Sequence, residues 1–222
     1  CEYLITLRAL QRAAESMIPA GHLVAYEQFA IARGATATVE QKSEASLQYN
    51  KTPAGISVNG AGFSMAFDTL GRLCSYVLDN KEYLKSALRP NFWRAPNDND
   101  FGNGMQNRCR IWKEAADNLK LLRLKVNQPA PDMIELIALY DIPTVKGTWE
   151  SRYLIQSAGQ VRVKNMFSTS DRSLPEIPRI GMRMRLVPEL NNMAYFGRGP
   201  WENYIDRNTS ALISLYHEKV NE

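Results

Sequence analysis

Cysteine is scarce in these 222 residues: there are three, Cys1, Cys74 and Cys109. The count is odd and no two form a Cys-x-x-Cys pair, which argues against a disulfide framework or a zinc site and leaves free thiols. Histidine is scarcer. His22 and His217 stand too far apart in sequence for metal-ligand spacing, so no metal site is expected. No apolar run reaches the ~18 residues that a membrane-spanning helix needs. The 27 lysines and arginines against 23 acidic residues leave a net charge of only +4. The basic residues are spread without a run of about five or six, which speaks against a nucleic-acid surface or a polybasic membrane patch. No initiator methionine and no leader open the chain. It runs from Cys1 straight into strand-like alternation, so the expectation is a segment of a longer chain rather than a lipidated terminus.

What the chain has in place of these is alternation with a period of two. Tyr3 to Leu10 and His22 to Ala32 read as two strands joined by a long connection that Pro19-Ala20-Gly21 closes. Residues 34–54 carry no sustained apolar period and read as a linker. From Gly55 onward strand follows strand. Phe63 to Phe67 turns at Asp68-Thr69-Leu70-Gly71 and returns through Leu73 to Leu78. Met133 to Tyr140, Gly147 to Gln156 and Gln160 to Thr169 follow. In the last, Val161, Val163, Asn165 and Phe167 share one face and Arg162, Lys164 and Met166 the other. Met182, Met184 and Leu186 alternate likewise with Arg183 and Arg185. One helix is predicted, Ile111 to Leu119, with Ile111, Trp112, Ala115, Ala116 and Leu119 on a single face. The predicted fold class is all-β: a large antiparallel sandwich with one short helix.

The densest stretch in polar chemistry is Pro90-Asn91-Phe92-Trp93-Arg94-Ala95-Pro96-Asn97-Asp98-Asn99-Asp100, ending in Phe101-Gly102-Asn103-Gly104. Phe92 and Trp93 read as a buried anchor, and Asn97 to Asp100 as a stiff polar turn. Gly102 to Gly104 read as a mobile tip. Carboxamides and carboxylates packed this closely suit hydroxyl recognition, since they offer many donors and acceptors in a small space. They equally suit a self-capped turn whose polar groups satisfy one another. A calcium loop fails on spacing, because with Asp98 first the twelfth position is Cys109, where a glutamate is required.

Phe92-Trp93-Arg94-Ala95-Pro96-Asn97-Asp98-Asn99-Asp100 resembles the motif that opens the C-terminal domain, or small chain, of the β-galactosidases of glycoside hydrolase family 2. The family usually has Thr where this chain has Asn97. A second stretch, Gly197-Arg198-Gly199-Pro200-Trp201-Glu202-Asn203-Tyr204-Ile205-Asp206-Arg207, is similar to another family motif, with Ile205 in place of the usual Pro. The resemblance implies three parts. Residues 1–33 would be the tail of an immunoglobulin-like domain, 34–54 a linker, and 55–222 a supersandwich similar to the galactose mutarotase fold, truncated at its C-terminus.

The same resemblance implies the non-catalytic C-terminal region of a β-galactosidase that hydrolyses terminal β-D-galactosides. Its catalytic glutamates would lie on an upstream TIM barrel, and no catalytic residue is assigned here. Arg94, Asn97, Asp98, Asn99 and Asp100 would form a rim that shapes the sugar pocket. Asp98 and Asp100 are too close in sequence to flank a glycosidic bond as an acid and nucleophile pair. Glu202 and Asp206 are expected to pair with Arg198 or Arg207, and Tyr195, Phe196, Trp201 and Tyr204 to be core. The implied partners are a galactoside, the barrel domain and a second copy of the chain, with no cofactor, in a soluble bacterial protein, cytoplasmic or periplasmic. A stand-alone carbohydrate-binding module is the alternative. An aldose epimerase fits less well, because it needs an acid and a base in one pocket and the two histidines sit near opposite ends of the chain.

Overall fold

The computed structural model describes residues 2–34, 45–201 and 203–220. Two compact units divide the chain, Cys1–Glu40 with Asn191–Glu222, and Gln41–Leu190. In chain order the first strands are β1 (Glu2–Leu10), β2 (Leu23–Arg33), β3 (Gln48–Thr52), β4 (Gly55–Gly60) and β5 (Phe63–Phe67). Next come β6 (Leu73–Leu78), β7 (Lys81–Glu82) and β8 (Leu84–Asn91). Three short helices follow: α1 (Asp98–Asn103), α2 (Met105–Arg108) and α3 (Ile111–Ala115). The remaining strands are β9 (Lys120–Ala130), β10 (Met133–Ile142), β11 (Gly147–Gln156), β12 (Val161–Thr169), β13 (Gly181–Leu186), β14 (Asn192–Gly199) and β15 (Leu212–Lys219).

In the unit of residues 41–190 every strand pairing is antiparallel. One sheet runs β3-β4-β5-β6-β7, a second β12-β11-β10-β9, and β8 pairs with β13. Alternation decides which side chains go in. On β10, Ile134, Leu136, Ala138, Tyr140 and Ile142 are buried; on β11, Trp149, Ser151, Tyr153 and Ile155 are. Ile56, Val58, Phe63, Met65 and Phe67 answer from β4 and β5. The two faces meet where the Phe67 ring stands edge-on to Tyr153, with centroids 5.1 Å apart. Burying each such side chain contributes roughly 1.5–3 kcal/mol.

Several polar groups of this core are paired. Tyr140 donates its hydroxyl to the Leu70 carbonyl at 2.7 Å. The Trp149 indole donates to Ser151 Oγ at 2.8 Å, and Ser151 donates onward to Asn165 Oδ1 at 2.8 Å. Asn165, on the core-facing side of β12, thus closes a short polar chain beneath the sheet. Gly55 begins β4 with φ +140°, and a Cβ there would lie 2.2 Å from the Phe67 carbonyl oxygen.

The all-β antiparallel sandwich expected from the alternation is present, and the single helix is corrected to three α-helices among the described residues. The stretch from Asn97 to Arg108 turns helical because Asn97 caps it, which a count of apolar periodicity does not register. The third helix stops at Ala115, short of Leu119; Asp117 and Asn118, which favour turns over helix interiors, follow it. The expected linker lies partly outside the described residues, at 35–44; its later part includes β3.

The unit of Cys1–Glu40 with Asn191–Glu222 contains two antiparallel pairs, β1 with β2 and β14 with β15. Side chains of β2 reach across to the second pair. Gln28 of β2 donates its Nε2 to the Ile213 carbonyl at 3.0 Å and accepts the Ile213 N–H on Oε1 at 2.8 Å. An amide side chain here takes the place of a strand neighbour. Tyr26 adds a hydrogen bond from its hydroxyl to the Ser210 carbonyl at 3.0 Å.

Candidate functional site

The first motif leaves the sheet at the end of β8, where Pro90 and Asn91 pair with Met182 and Gly181 of β13. Phe92 then turns inward and is 1% exposed. Its ring meets Trp112 at 5.6 Å, Trp149 at 5.4 Å and Phe167 at 5.1 Å between centroids. Trp93 is only half-buried, against the expectation that both rings are core, and the Lys113 ammonium stands 6.0 Å from its ring centre.

Arg94 folds back over the following turn. Both of its terminal nitrogens donate to the Asp100 carboxylate, Nη2 to Oδ1 at 2.8 Å and Nη1 to Oδ2. Asp100 also accepts the Asn97 N–H at 2.9 Å, and Asn97 Oδ1 accepts the Asp100 N–H at 2.9 Å. This is a reciprocal capping box with aspartate in the place usually held by glutamate. The Arg94 guanidinium, followed by the Asn97 N–H, holds the Asp100 carboxyl below its ordinary value. The two oxygens are spent on these donors and Asp100 is only 7% exposed. Asp98 and Asn99, in the first turn of α1, are exposed and make none of these bonds.

The five residues singled out by sequence therefore divide. Arg94, Asn97 and Asp100 hold the motif's shape, and Asp98 and Asn99 present its polar surface. The stretch read as a mobile tip forms a helix junction, in which Gly102 lies inside α1 and Gly104 ends it in the left-handed conformation, φ +74°. Of Asp98 and Asp100 as partners for Arg94, the structure selects Asp100.

Sequence reading missed the far end of the motif. Arg108 of α2 binds Glu176, and the Trp112 indole donates to the Pro175 carbonyl at 3.0 Å. Arg108, followed by the Glu176 N–H, lowers the Glu176 carboxyl to about 2. The partners are 68 residues apart in sequence, and no local spacing signals them.

The second motif ends β14. Arg198 donates to the carbonyls of Asn208 at 3.0 Å and Ala211 at 2.9 Å, so its guanidinium ties the end of β14 to the backbone of residues 208–211. Among the described residues no ion pair joins Asp206 to Arg198 or Arg207, and Glu202 lies outside them. The aromatic core expected here is corrected: Phe196 is 58% exposed, Trp201 65% and Tyr204 39%. Alternation on β14 sends Phe196 to the outer face, while Tyr195 stacks on Tyr216 with centroids 5.4 Å apart. A Cβ at Gly199 would lie 2.5 Å from the Tyr195 hydroxyl, so glycine lets that ring lie down.

Two clefts open on the unit of residues 41–190. The larger, about 730 Å³, is apolar and includes Leu73, Tyr76, Tyr83, Met184 and Leu186. The smaller, about 390 Å³, lies at the first motif between Trp93, Phe101, Gln106, Arg110 and Lys113. Among the described residues no three His, Cys, Asp or Glu side chains converge as a metal ion would require. No helix among them is long and apolar enough to cross a membrane.

A sandwich core of antiparallel strands, with its polar motif on a capped helix that follows β8, defines an all-β domain. The chain belongs to the β-galactosidase small chain family, whose model matches residues 59–222. It is similar to the β-galactosidase of Priestia megaterium, 31% identical over all of this chain and 21% of that protein. It is also similar to the β-galactosidase of Clostridium acetobutylicum, 32% identical over 78% of this chain and 19% of that protein. The β-galactosidase of Halalkalibacterium halodurans is 27% identical over 99% of this chain and 21% of its own length. The chain spans about a fifth of the length of these relatives.

Proposed function

We propose that this chain is the non-catalytic C-terminal part of a retaining β-galactosidase that hydrolyses terminal β-D-galactosides. The family match over residues 59–222 carries the proposal. The relatives' shared name and the fraction of their length that the chain spans support it. The acid/base and nucleophilic glutamates are supplied by a TIM barrel upstream of it, and the fragment alone is inactive. Retaining hydrolysis needs two carboxyl groups about 5–5.5 Å apart with a sugar between them. At the first motif one carboxylate, Asp100, is consumed by Arg94 and Asn97, which leaves Asp98 without a second free carboxylate in its turn.

The chain's contribution is a rim. Asp98 and Asn99 offer acceptors and donors to sugar hydroxyls, while Arg94, Asn97 and Asp100 keep that turn in one shape. Residues 1–33 are the tail of an immunoglobulin-like domain, 34–54 a linker, and 55–222 the supersandwich. In the intact protein the barrel, and a second copy of the protein, are its partners.

Kinetics of the intact protein and of the fragment test this together. The intact protein should hydrolyse a chromogenic β-galactoside, and the purified fragment should not. Asp98→Ala in the intact protein should raise KM more than it lowers the melting temperature. Turnover by the fragment that scales with its concentration and vanishes on Asp98→Ala would put a catalytic acid in the turn and overturn the proposal.

A further inference from the structure

We propose, on the footing of that rim role, that Arg108 is a positioning residue: it fastens the C-terminal end of α1 to the 170–178 loop and so fixes where Asp98 and Asn99 stand. α1 is six residues long. A helix that short does not hold itself in water, so its position is set by what grips its ends. Arg94, Asn97 and Asp100 grip the first end. At the other, Gly104 breaks the helix and the chain re-enters a helix at Met105. Arg108 then reaches back. Its Nη1 donates to the Asn103 carbonyl at 2.7 Å, and Nη2 approaches Asn103 Oδ1 at 3.4 Å. Its Nε donates to Glu176 Oε1 at 3.0 Å, and Nη2 to the same oxygen.

One planar guanidinium thus spans the last residue of α1 and a loop about seventy residues on, a task that suits a rigid fork of five N–H donors and not a point charge. Glu176 is itself held. Its neighbour Pro175 accepts the Trp112 indole N–H, and Trp112 packs on Phe92, where the motif starts. The contacts close into a ring: Phe92 to Trp112, Pro175 and Glu176, Arg108, Asn103, along α1 to Asp100, and back through Arg94. Arg108 and Glu176 are 44% and 59% exposed. Exposed pairs contribute little to global stability, so this pair acts on local position rather than on the fold.

Two measurements on the full-length protein test the role. The first is amide hydrogen exchange of residues 98–103, which does not depend on the rim reading. Arg108→Ala should raise it roughly tenfold, and Arg108→Lys should fail to restore it, because lysine lacks the fork. The second is kinetics on a chromogenic β-galactoside. Arg108→Ala should lower kcat/KM roughly tenfold, chiefly through KM, with the melting temperature little changed. Arg108→Glu combined with Glu176→Arg should not recover the loss, because a carboxylate at 108 cannot donate to the Asn103 carbonyl. Unchanged exchange in Arg108→Ala overturns the proposal outright. Faster exchange with unchanged KM, where Asp98→Ala does raise KM, overturns the link from Arg108 to the rim and leaves the rim standing. Faster exchange with KM unmoved in both variants overturns the rim role, and with it Arg108's part in positioning it.

Discussion

Arg94 and Asp100 close on one another across a single turn, both terminal nitrogens of the guanidinium on both oxygens of the carboxylate. The capping bonds of the turn meet that pair at Asp100. Asn97 gives its N–H to Asp100 and takes the Asp100 N–H in return. A run of four Asn and Asp residues, which would otherwise sample many turns, is thereby committed to starting a helix.

The pair should show in acid. Asp100 is held below its ordinary value of 3.8 in the folded chain, first by Arg94 and then by the Asn97 N–H. A carboxyl lowered on folding contributes stability that is full above its unfolded value and is lost as pH falls through the folded one. Arg94→Gln should therefore melt below the parent chain at neutral pH. The two melting curves should converge as pH drops below 3.8. Curves that stay parallel down to pH 2 would mean that the difference does not come from the Asp100 charge.

Asn97 tests the cap separately from the charge. Asn97→Ala should cost about 0.5–2 kcal/mol in urea unfolding. Asn97→Asp keeps the acceptor and should cost less. Unchanged stability in Asn97→Ala would show that Arg94 alone holds the turn.

Phe92 tests the anchor. It sits among Trp112, Trp149 and Phe167 with 1% of its surface exposed, so Phe92→Ala opens a cavity between rings that cannot close on it. The expected cost is about 3–5 kcal/mol. Phe92→Leu should cost less, and the tryptophan emission of Phe92→Ala should shift as Trp112 and Trp149 lose a neighbour. A change below about 1 kcal/mol would place the ring outside the cooperative core.

Gln28 tests the unit of residues 1–40 and 191–222. Its amide meets the N–H and the carbonyl of Ile213. Gln28→Leu leaves both groups without that partner, at about 1–3 kcal/mol for a buried group and less at a half-buried one. Amide exchange at Ile213 should quicken while that at Ile134 and Tyr153 stays slow. Unchanged exchange at Ile213 would remove Gln28 from the account.

Alternation alone determined the strands of the sandwich and which of their side chains point inward. Ile134, Leu136, Tyr140, Trp149, Tyr153 and Phe167 fall where a period of two places them, because the two faces of a strand are set by backbone geometry within two residues. The family was legible for a related reason, since each of its two motifs is a continuous run of residues. The start of α1 was not. Asn97 followed by Asp98, Asn99 and Asp100 suits an Asx turn as well as a helix cap, and Arg94 decides between them by neutralising Asp100. Residue type misled on β14, where Phe196 suits a core but alternation puts it on the outer face. The bonds of Arg108 to Glu176 and of Gln28 to Ile213 bridge 68 and 185 residues. Such partners are chosen by which strands and loops the fold brings side by side, and a long side chain carries no local mark of the one it will meet.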